Sequence, residues 1–152
     1  MLEGQNAPDF KGIDQDNKER SLSDYKGKYL ILFFYPKDNT AGCTAEAVNL
    51  KENYNLLQEQ GFELLGISPD SARSHQKFIE KHQLPFDLIA DEDKDILTTY
   101  GVWGEKKMYG RTYMGVFRTT FVIDEDLKIK KIFKKVKTKE HTQQILQELE
   151  IK

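Results

Sequence analysis

The chain has 152 residues, of which 32% are charged and 38% are hydrophobic, and its formal net charge is −2. This length is typical of one domain with a buried core, so we expect a single domain over residues 1–152. The small negative charge argues against nucleic acid or a membrane surface as a partner, and no apolar run approaches the roughly 20 residues of a membrane-spanning helix.

The predicted elements alternate between strands and helices over most of the chain. Tyr29–Tyr35 is a continuous run of apolar and aromatic residues, which is typical of a strand buried on both faces of a partly parallel sheet. Apolar residues then recur at spacings of three and four, which predicts a helix and, with the strand after it, a right-handed βαβ unit. In chain order the predicted elements are a polar hairpin (Ala7–Arg20), a helical turn (Ser23–Gly27), a strand (Tyr29–Tyr35), a helix (Thr44–Gln60), a strand (Phe62–Ser68), a helix (Asp70–Gln83), a strand (Phe86–Ala90) and a short helix (Lys94–Tyr100).

The last third of the chain predicts a loop, a hairpin and a closing helix. The segment from Trp103 to Met114 is rich in aromatic residues and methionine and is expected to be a loop. Gly115–Ile123 and Leu127–Val136 flank an acidic turn and predict an antiparallel hairpin. Thr138–Ile151 has a helical pattern, with its apolar residues expected to face inward. This order predicts an α/β fold with a mixed central sheet, helices on both faces and an N-terminal hairpin extension.

Cys43 is the only cysteine, and its position favours a reactive sulfur over a packed one. It follows the long apolar strand and a loop that contains glycine, and it is expected to begin a helix. A helix start offers free N–H groups and the positive end of a dipole, and both favour a thiolate over a thiol. Without such neighbours, a lone cysteine is more often a small buried hydrophobic residue.

The residues around Cys43 resemble those of a known family. The spacing Pro36-x-x-x-Thr40-x-x-Cys43 resembles the active-site signature of the peroxiredoxins, and Glu46 extends it. The strings FFYPKDNTAGCTAEA, YGVWGEKKMYGRTYMGVFRTTFVID and APDF resemble the bacterioferritin comigratory protein subfamily, also called peroxiredoxin Q. The resemblance covers nearly the whole chain, and the proline, threonine, cysteine and distant arginine are highly specific in combination.

This resemblance implies a thioredoxin-like fold and a peroxidase that reduces hydrogen peroxide and organic hydroperoxides. Cys43 matches the peroxidatic cysteine, which is oxidised to a sulfenic acid. Thr40 matches the hydroxyl that binds the peroxide, and Pro36 matches the ring that shields the sulfur. Arg118 matches the arginine beside the thiolate, and Glu46 matches the acid that helps to hold this arginine. We expect neither a cofactor nor a metal ion.

Glu46 and Arg118 each have a simpler explanation as well. An acid in the first turn of a helix is favourable in any protein, and an isolated arginine is more often part of a structural or surface ion pair. Only the matching residues around Cys43 give these two side chains a catalytic interpretation.

Two positions depart from the residues of the subfamily. Ala41 stands where the subfamily often has proline, which is a mild change, and Val48 is the larger departure. Many members carry a resolving cysteine five residues after the first, and this chain has valine there and no other cysteine. We therefore expect a one-cysteine enzyme whose sulfenic acid is reduced by an external thiol, such as a small thiol or a thioredoxin-like protein. Residues five apart on a helix lie about 8 to 9 Å apart, too far for a disulfide, so a two-cysteine member must unwind this helix. Here the helix is expected to stay folded during oxidation.

Two other functions on the same scaffold are weighed against the peroxidase. A thiol–disulfide oxidoreductase is disfavoured, because Thr40 and Glu46 stand three residues from Cys43 and no Cys-x-x-Cys motif exists. A non-catalytic redox sensor remains the other alternative. A monomer is expected, with a weak dimer as the alternative, and the absence of a recognisable signal peptide predicts the cytoplasm. The three histidines lack metal-ligand spacing and are expected to be exposed: His75, His82 and His141.

Overall fold

The computed structural model describes residues 1–149, whose strands form a mixed sheet and a separate two-stranded hairpin. The strands are β1 (Lys11–Ile13), β2 (Glu19–Ser21), β3 (Tyr29–Phe34), β4 (Phe62–Ser68), β5 (Asp87–Ala90), β6 (Trp103–Met108), β7 (Arg111–Val116), β8 (Thr119–Ile123) and β9 (Ile129–Phe133). The helices are α1 (Ala41–Glu52), α2 (Tyr54–Glu59), α3 (Ala72–His82), α4 (Asp95–Thr99) and α5 (His141–Glu148), with 3₁₀ turns at Leu22–Tyr25 and Thr138–Glu140. Among these residues, no helix combines the length and the apolar character needed to cross a membrane.

The main sheet has the strand order β2-β1-β5-β4-β3-β8-β9. Strands β3, β4 and β5 are parallel, and the remaining pairs are antiparallel. The central strand β3 pairs along its length with β4 on one side and with β8 on the other. The predicted N-terminal hairpin is present, and it joins the sheet where Ile13 pairs with Ala90 of β5. The predicted α/β architecture with a mixed sheet is therefore confirmed.

The sheet separates two hydrophobic cores, because successive side chains of β3 point to opposite faces. Leu32 and Phe34 belong to a core that includes residues of α4, whereas Ile31 and Phe33 belong to a core that includes residues of α1, α3 and α5. All four side chains are buried, and each contributes roughly 1.5 to 3 kcal/mol of hydrophobic free energy. Cys43 belongs to the second core, so its sulfur lies on the face covered by α1, α2, α3 and α5.

The single helix predicted over Thr44–Gln60 begins earlier and is divided in the structure. Thr40 has extended backbone (φ −88°, ψ 157°) and precedes α1 directly, so Cys43 is the third residue of the helix. Asn53, at φ −106° and ψ 11°, separates α1 from α2, and its Nδ2 donates to the carbonyl oxygen of Asn49 at 2.8 Å. Asparagine side chains compete in this way with the backbone hydrogen bonds of a helix. The apolar periodicity continues across the break and therefore did not reveal it.

The strand predicted over Gly115–Ile123 is interrupted at Phe117 and Arg118. The residues before the break belong to β7 and pair with β6 in the separate hairpin. Its turn contains Tyr109 (φ 51°) and Gly110 (φ 75°), and two positive φ angles in succession are typical of a two-residue hairpin loop. The loop predicted over Trp103–Met114 is therefore wrong, because these residues form two paired strands that show little apolar alternation. Arg118 consequently lies at the junction between β7 and β8, not within a strand as predicted.

The closing helix predicted over Thr138–Ile151 begins as a 3₁₀ turn and continues as α5. Ile145 is fully buried, and Leu146 and Leu149 pack against the same core, so the predicted inward face is confirmed for these residues. Ile151 lies outside the described residues.

Candidate active site

Cys43 lies in the first turn of α1, where the backbone favours a negative charge. The N–H of Thr44 makes the first hydrogen bond within the helix, to the carbonyl oxygen of Thr40 at 2.9 Å. The N–H groups of residues 41–43 precede it and so have no acceptor within the helix. These groups and the helix dipole favour an anion at this end. The Cys43 side chain is only 2% exposed, which limits competition from water.

Arg118 connects Cys43 to Glu46, as the resemblance implied. Its Nη2 donates to Cys43 Sγ at 3.1 Å, and its Nη1 donates to Glu46 Oε1 at 2.8 Å. A guanidinium presents separate donors in a fixed plane, which lets one arginine hold two acceptors. Burial alone would lower the pKa of Arg118, but the charges and hydrogen bonds of Cys43 and Glu46 raise it above its usual value. The side chain therefore remains a cation beside the sulfur.

Glu46 has one paired oxygen and one unpaired oxygen. Oε1 accepts from Arg118, whereas Oε2 is buried and has no hydrogen-bond partner in the part of the chain that the structure describes. The Nε2 atom of His141 lies 3.6 Å from Oε2. Burial raises the pKa of Glu46 to about 7, and the ion pair with Arg118 only partly opposes this rise. Glu46 is thus a carboxyl group that titrates near neutral pH.

Thr40 and Pro36 lie on the loop that leads from β3 to α1. Thr40 is exposed, and its Oγ1 donates to the carbonyl oxygen of Lys37 at 2.7 Å. A hydroxyl that donates one hydrogen bond can still accept another, so this oxygen is available to a ligand. Pro36 is half-buried and follows the strand by two residues. Both side chains belong to the segment that leads into the first turn of α1.

A buried network that the sequence did not predict anchors the same loop. Asp38 accepts hydrogen bonds from the hydroxyl of Tyr35 at 2.6 Å, from Ser74 Oγ at 2.7 Å and from His75 Nδ1 at 2.8 Å. His75 Nε2 lies 2.9 Å from the carbonyl oxygen of Ile89, so both ring nitrogens face oxygen acceptors. The network fastens the loop to α3 and β5.

The prediction of exposed histidines is wrong for His75 and His141, which are fully buried, and His82 is half-buried. His141 begins α5, and its ring nitrogens lie 3.0 Å from Gln144 Oε1 and 2.8 Å from Thr120 Oγ1. Burial lowers the pKa of His141 to about 4, although the hydrogen bond with Gln144 opposes this, so the ring is neutral at physiological pH. Metal-ligand spacing was the wrong criterion for burial, because polar partners from other elements satisfy these rings.

Comparison with known proteins relates this geometry to characterised chains. Residues 3–132 match the model of the AhpC/TSA family. The chain is 44% identical over 146 residues to peroxiredoxin Bcp of Bacillus subtilis, which covers 96% of this chain and 93% of that protein. The fold is similar to that of a PrxQ mutant from Xylella fastidiosa, with a TM-score of 0.91 and 30% identity over 99% of this chain and 96% of the other. Bacterioferritin comigratory protein of Xanthomonas campestris, whose structures address its alkyl peroxide reduction activity, gives a TM-score of 0.86 and 30% identity over 93% and 90% of the two chains.

Proposed function

The chain belongs to the AhpC/TSA family as a peroxiredoxin, and we propose that Cys43 is the nucleophile with which it reduces hydrogen peroxide and small organic hydroperoxides. Membership of this family confirms the predicted thiol-dependent peroxidase and its thioredoxin-like fold. The observation that carries the assignment of Cys43 is the 3.1 Å contact between its sulfur and Arg118 Nη2 in the first turn of α1. A thiolate there is stabilised by the charge of Arg118 and by the N-terminal end of the helix dipole.

The first stage of the proposed reaction is an in-line attack on the peroxide. The thiolate attacks the distal oxygen, so that an S–O bond forms as the O–O bond breaks, and Cys43 becomes a sulfenic acid. Sulfur loses two electrons and the peroxide gains two. The departing alkoxide, or hydroxide, takes up one proton and leaves as alcohol or water. Arg118 and the free N–H groups stabilise the developing charge, and a donor of this kind typically contributes about 3 kcal/mol.

Three further residues are proposed to support this stage. Thr40 orients the peroxide, because its Oγ1 donates to Lys37 and can accept from the peroxide hydroxyl. Pro36 has no N–H group, and its ring is proposed to keep water from the sulfur. Glu46 contacts Arg118 and not the sulfur, so its proposed role is to position the guanidinium.

The second stage requires an external thiol, because the chain has no second cysteine. A first thiol condenses with the sulfenic acid, which releases water and forms a mixed disulfide with Cys43. A second thiol then displaces Cys43 and forms the external disulfide. The proposed reductant is a small thiol or a thioredoxin-like protein, and the proposed compartment is the cytoplasm, where thiols are kept reduced. We propose that the chain works as a monomer, and sedimentation at working concentration would check its oligomeric state. Neither nucleic acid nor a membrane is a proposed partner.

The test is peroxide consumption with excess dithiothreitol by the wild type, Cys43→Ser and Ala45→Ser. The last variant places the same serine side chain two residues further along α1 and is the matched control. Multiple turnovers are expected in the wild type and the control, with loss of turnover in Cys43→Ser. Undiminished turnover in Cys43→Ser would refute Cys43 as the nucleophile. Consumption of one equivalent or less by the wild type would favour the redox sensor.

A further inference from the structure

Two acidic groups compete for one cation in the active site. Arg118 donates to Cys43 Sγ through Nη2 and to Glu46 Oε1 through Nη1. If both groups are ionised, two negative charges share one positive charge in a site where the Cys43 and Glu46 side chains are almost completely buried. An uncompensated buried charge is costly, so the thiol and the carboxyl group are expected to hold one proton between them.

The unpaired oxygen of Glu46 indicates where that proton is held. Oε2 has no hydrogen-bond partner among the described residues, and a buried carboxylate oxygen without a donor is poorly stabilised. A protonated Oε2 is itself a donor and needs an acceptor. His141 Nε2 lies 3.6 Å away, a few tenths of an ångström beyond hydrogen-bond distance, and the His141 ring is fully buried.

The hydrogen bonds around His141 assign an acceptor role to Nε2. Gln144 Oε1 accepts from the Lys137 N–H at 3.0 Å, while Gln144 Nε2 donates to the carbonyl oxygen of Lys135 at 2.8 Å. These bonds orient the amide, so its oxygen faces His141 Nδ1 at 3.0 Å and Nδ1 carries the hydrogen. In a neutral ring, Nε2 then presents a lone pair. The Thr120 hydroxyl lies 2.8 Å from Nε2 and donates to this lone pair, so Glu46 would share the acceptor with Thr120.

On the basis of Cys43 as nucleophile, we propose that His141 is a positioning residue, whose Nε2 accepts a hydrogen bond from the protonated Glu46 carboxyl group and thereby leaves the charge of Arg118 to the Cys43 thiolate. Ionisation is then internal, since Cys43–SH and Glu46–COO⁻ become Cys43–S⁻ and Glu46–COOH. Oxidation balances as Cys43–S⁻ + Glu46–COOH + ROOH → Cys43–SOH + Glu46–COO⁻ + ROH. The proton that Glu46 gives up is the one that the alkoxide requires.

The charged and titratable groups around Glu46 and His141 are consistent with a neutral carboxyl group and a neutral imidazole. Burial raises the pKa of Glu46 to about 7 and lowers that of His141 to about 4. Arg118, from the junction before β8, is the cation that faces both groups, and Cys43 is the acid of α1 that shares Arg118 with Glu46. The charged residues of the adjoining 3₁₀ turn are exposed to solvent, namely Lys139 and Glu140.

A titration of Glu46 tests the shared proton directly. Reduced protein with ¹³C-labelled glutamate carboxyls is titrated by NMR, and the spectrum of Glu46→Gln identifies the Glu46 signal. Cys43→Ser leaves Arg118 with a single acidic partner, so the Glu46 midpoint is expected to fall by about one pH unit or more, as for strongly coupled groups. Equal midpoints in the wild type and Cys43→Ser would overturn the shared proton.

The role of His141 is tested in the same spectra. His141→Phe keeps an aromatic ring against Phe133 but removes Nε2, so the Glu46 midpoint is expected to fall because the neutral acid loses its acceptor. Thr120→Val is the matched control, since it removes the other neighbour of Nε2 and should not lower the midpoint. His141→Leu replaces the phenylalanine variant if that variant does not fold. A midpoint equal to that of the wild type would refute the role of His141.

Peroxide-dependent loss of the Cys43 thiol is measured on the same wild-type samples. If the thiol is not lost, the proposed function fails, whatever the Glu46 midpoints. If the thiol is lost but the midpoint is the same in all variants, the shared proton alone is refuted.

Discussion

Replacing Arg118 with lysine keeps the positive charge and removes the planar fork. In the structure, two different nitrogens reach two acceptors, Glu46 at 2.8 Å and Cys43 at 3.1 Å. A lysine ammonium is a single point of charge on a flexible stem and cannot hold both acceptors in this geometry. We expect the reaction of Cys43 with peroxide to slow because the sulfur loses a preorganised donor.

The size of this loss follows from the number of donors removed from the sulfur. One preorganised hydrogen-bond donor typically lowers the activation free energy by about 3 kcal/mol. A change of about 1.4 kcal/mol in this barrier changes the rate tenfold. Loss of the single Arg118 Nη2 donor would therefore slow the reaction at most about 150-fold. The remaining ammonium charge recovers part of this, so the expected decrease lies between about 10-fold and about 150-fold.

The assay is the second-order loss of the Cys43 thiol after mixing with hydrogen peroxide, stopped at intervals with a thiol reagent. Arg20→Lys is the matched control, because Arg20 also pairs with two carboxylates, Asp14 at 2.8 Å and Asp87 at 3.3 Å, in the N-terminal hairpin region. Its rate should equal that of the wild type. A rate for Arg118→Lys within about threefold of the wild type would refute the argument from fork geometry.

Three other perturbations have expected outcomes. In Gly42→Ala the new Cβ would lie 3.3 Å from Arg118 Nη2 and displace the guanidinium, so the reaction of the Cys43 thiol with peroxide should slow about fivefold. The free energy of unfolding should rise by up to about 1 kcal/mol, because alanine favours a helix more than glycine does. An unchanged reaction rate would contradict the first expectation. Burial raises the pKa of Glu46 from 4.5 to about 7, so its stabilising contribution is complete below pH 4.5 and lost as pH rises through 7. Between pH 4.5 and 7, the free energy of unfolding of Glu46→Gln, measured in urea, should therefore rise by up to about 3 kcal/mol relative to that of the wild type. The same pH dependence in both proteins would exclude the raised pKa of Glu46. His75→Phe leaves Asp38 buried without one of its donors, so the free energy of unfolding should fall by about 3 kcal/mol; wild-type stability would show the network to be dispensable.

Contiguous patterns predicted the parts of the fold whose signal is local. Tyr29–Tyr35 predicted the central strand because its burial on both faces requires an unbroken apolar run. The hairpin that ends at Val116 was missed because its strands pair mainly with each other and carry charged side chains, so they have no period of two in hydrophobicity. The break at Asn53 was missed because a side-chain hydrogen bond, and not the apolar pattern, ends the helix.

The candidate site shows the same division between local and distant information. The first helical turn and Cys43 follow from adjacent residues, whereas Arg118 came from the family resemblance, since it lies 75 positions away in the chain. His75 had an unused local signal, because it stands three residues before the buried Phe78 on the apolar side of α3. His141 had none, because the residue that it faces, Glu46, lies on another helix.

The burial of Cys43 separates the two half-reactions into different kinetic regimes. Hydrogen peroxide has two heavy atoms and needs only a narrow approach to the sulfur, whereas a thiol reductant must align its own sulfur with Cys43, which is only 2% exposed. Recycling therefore waits for a transient opening of the first turn of α1, and each 1.4 kcal/mol, roughly, of opening free energy slows it tenfold. With Cys43 as the nucleophile, we expect oxidation to proceed in the closed protein, so that during a burst of peroxide the enzyme accumulates as sulfenic acid and its steady-state turnover depends on how often that turn opens.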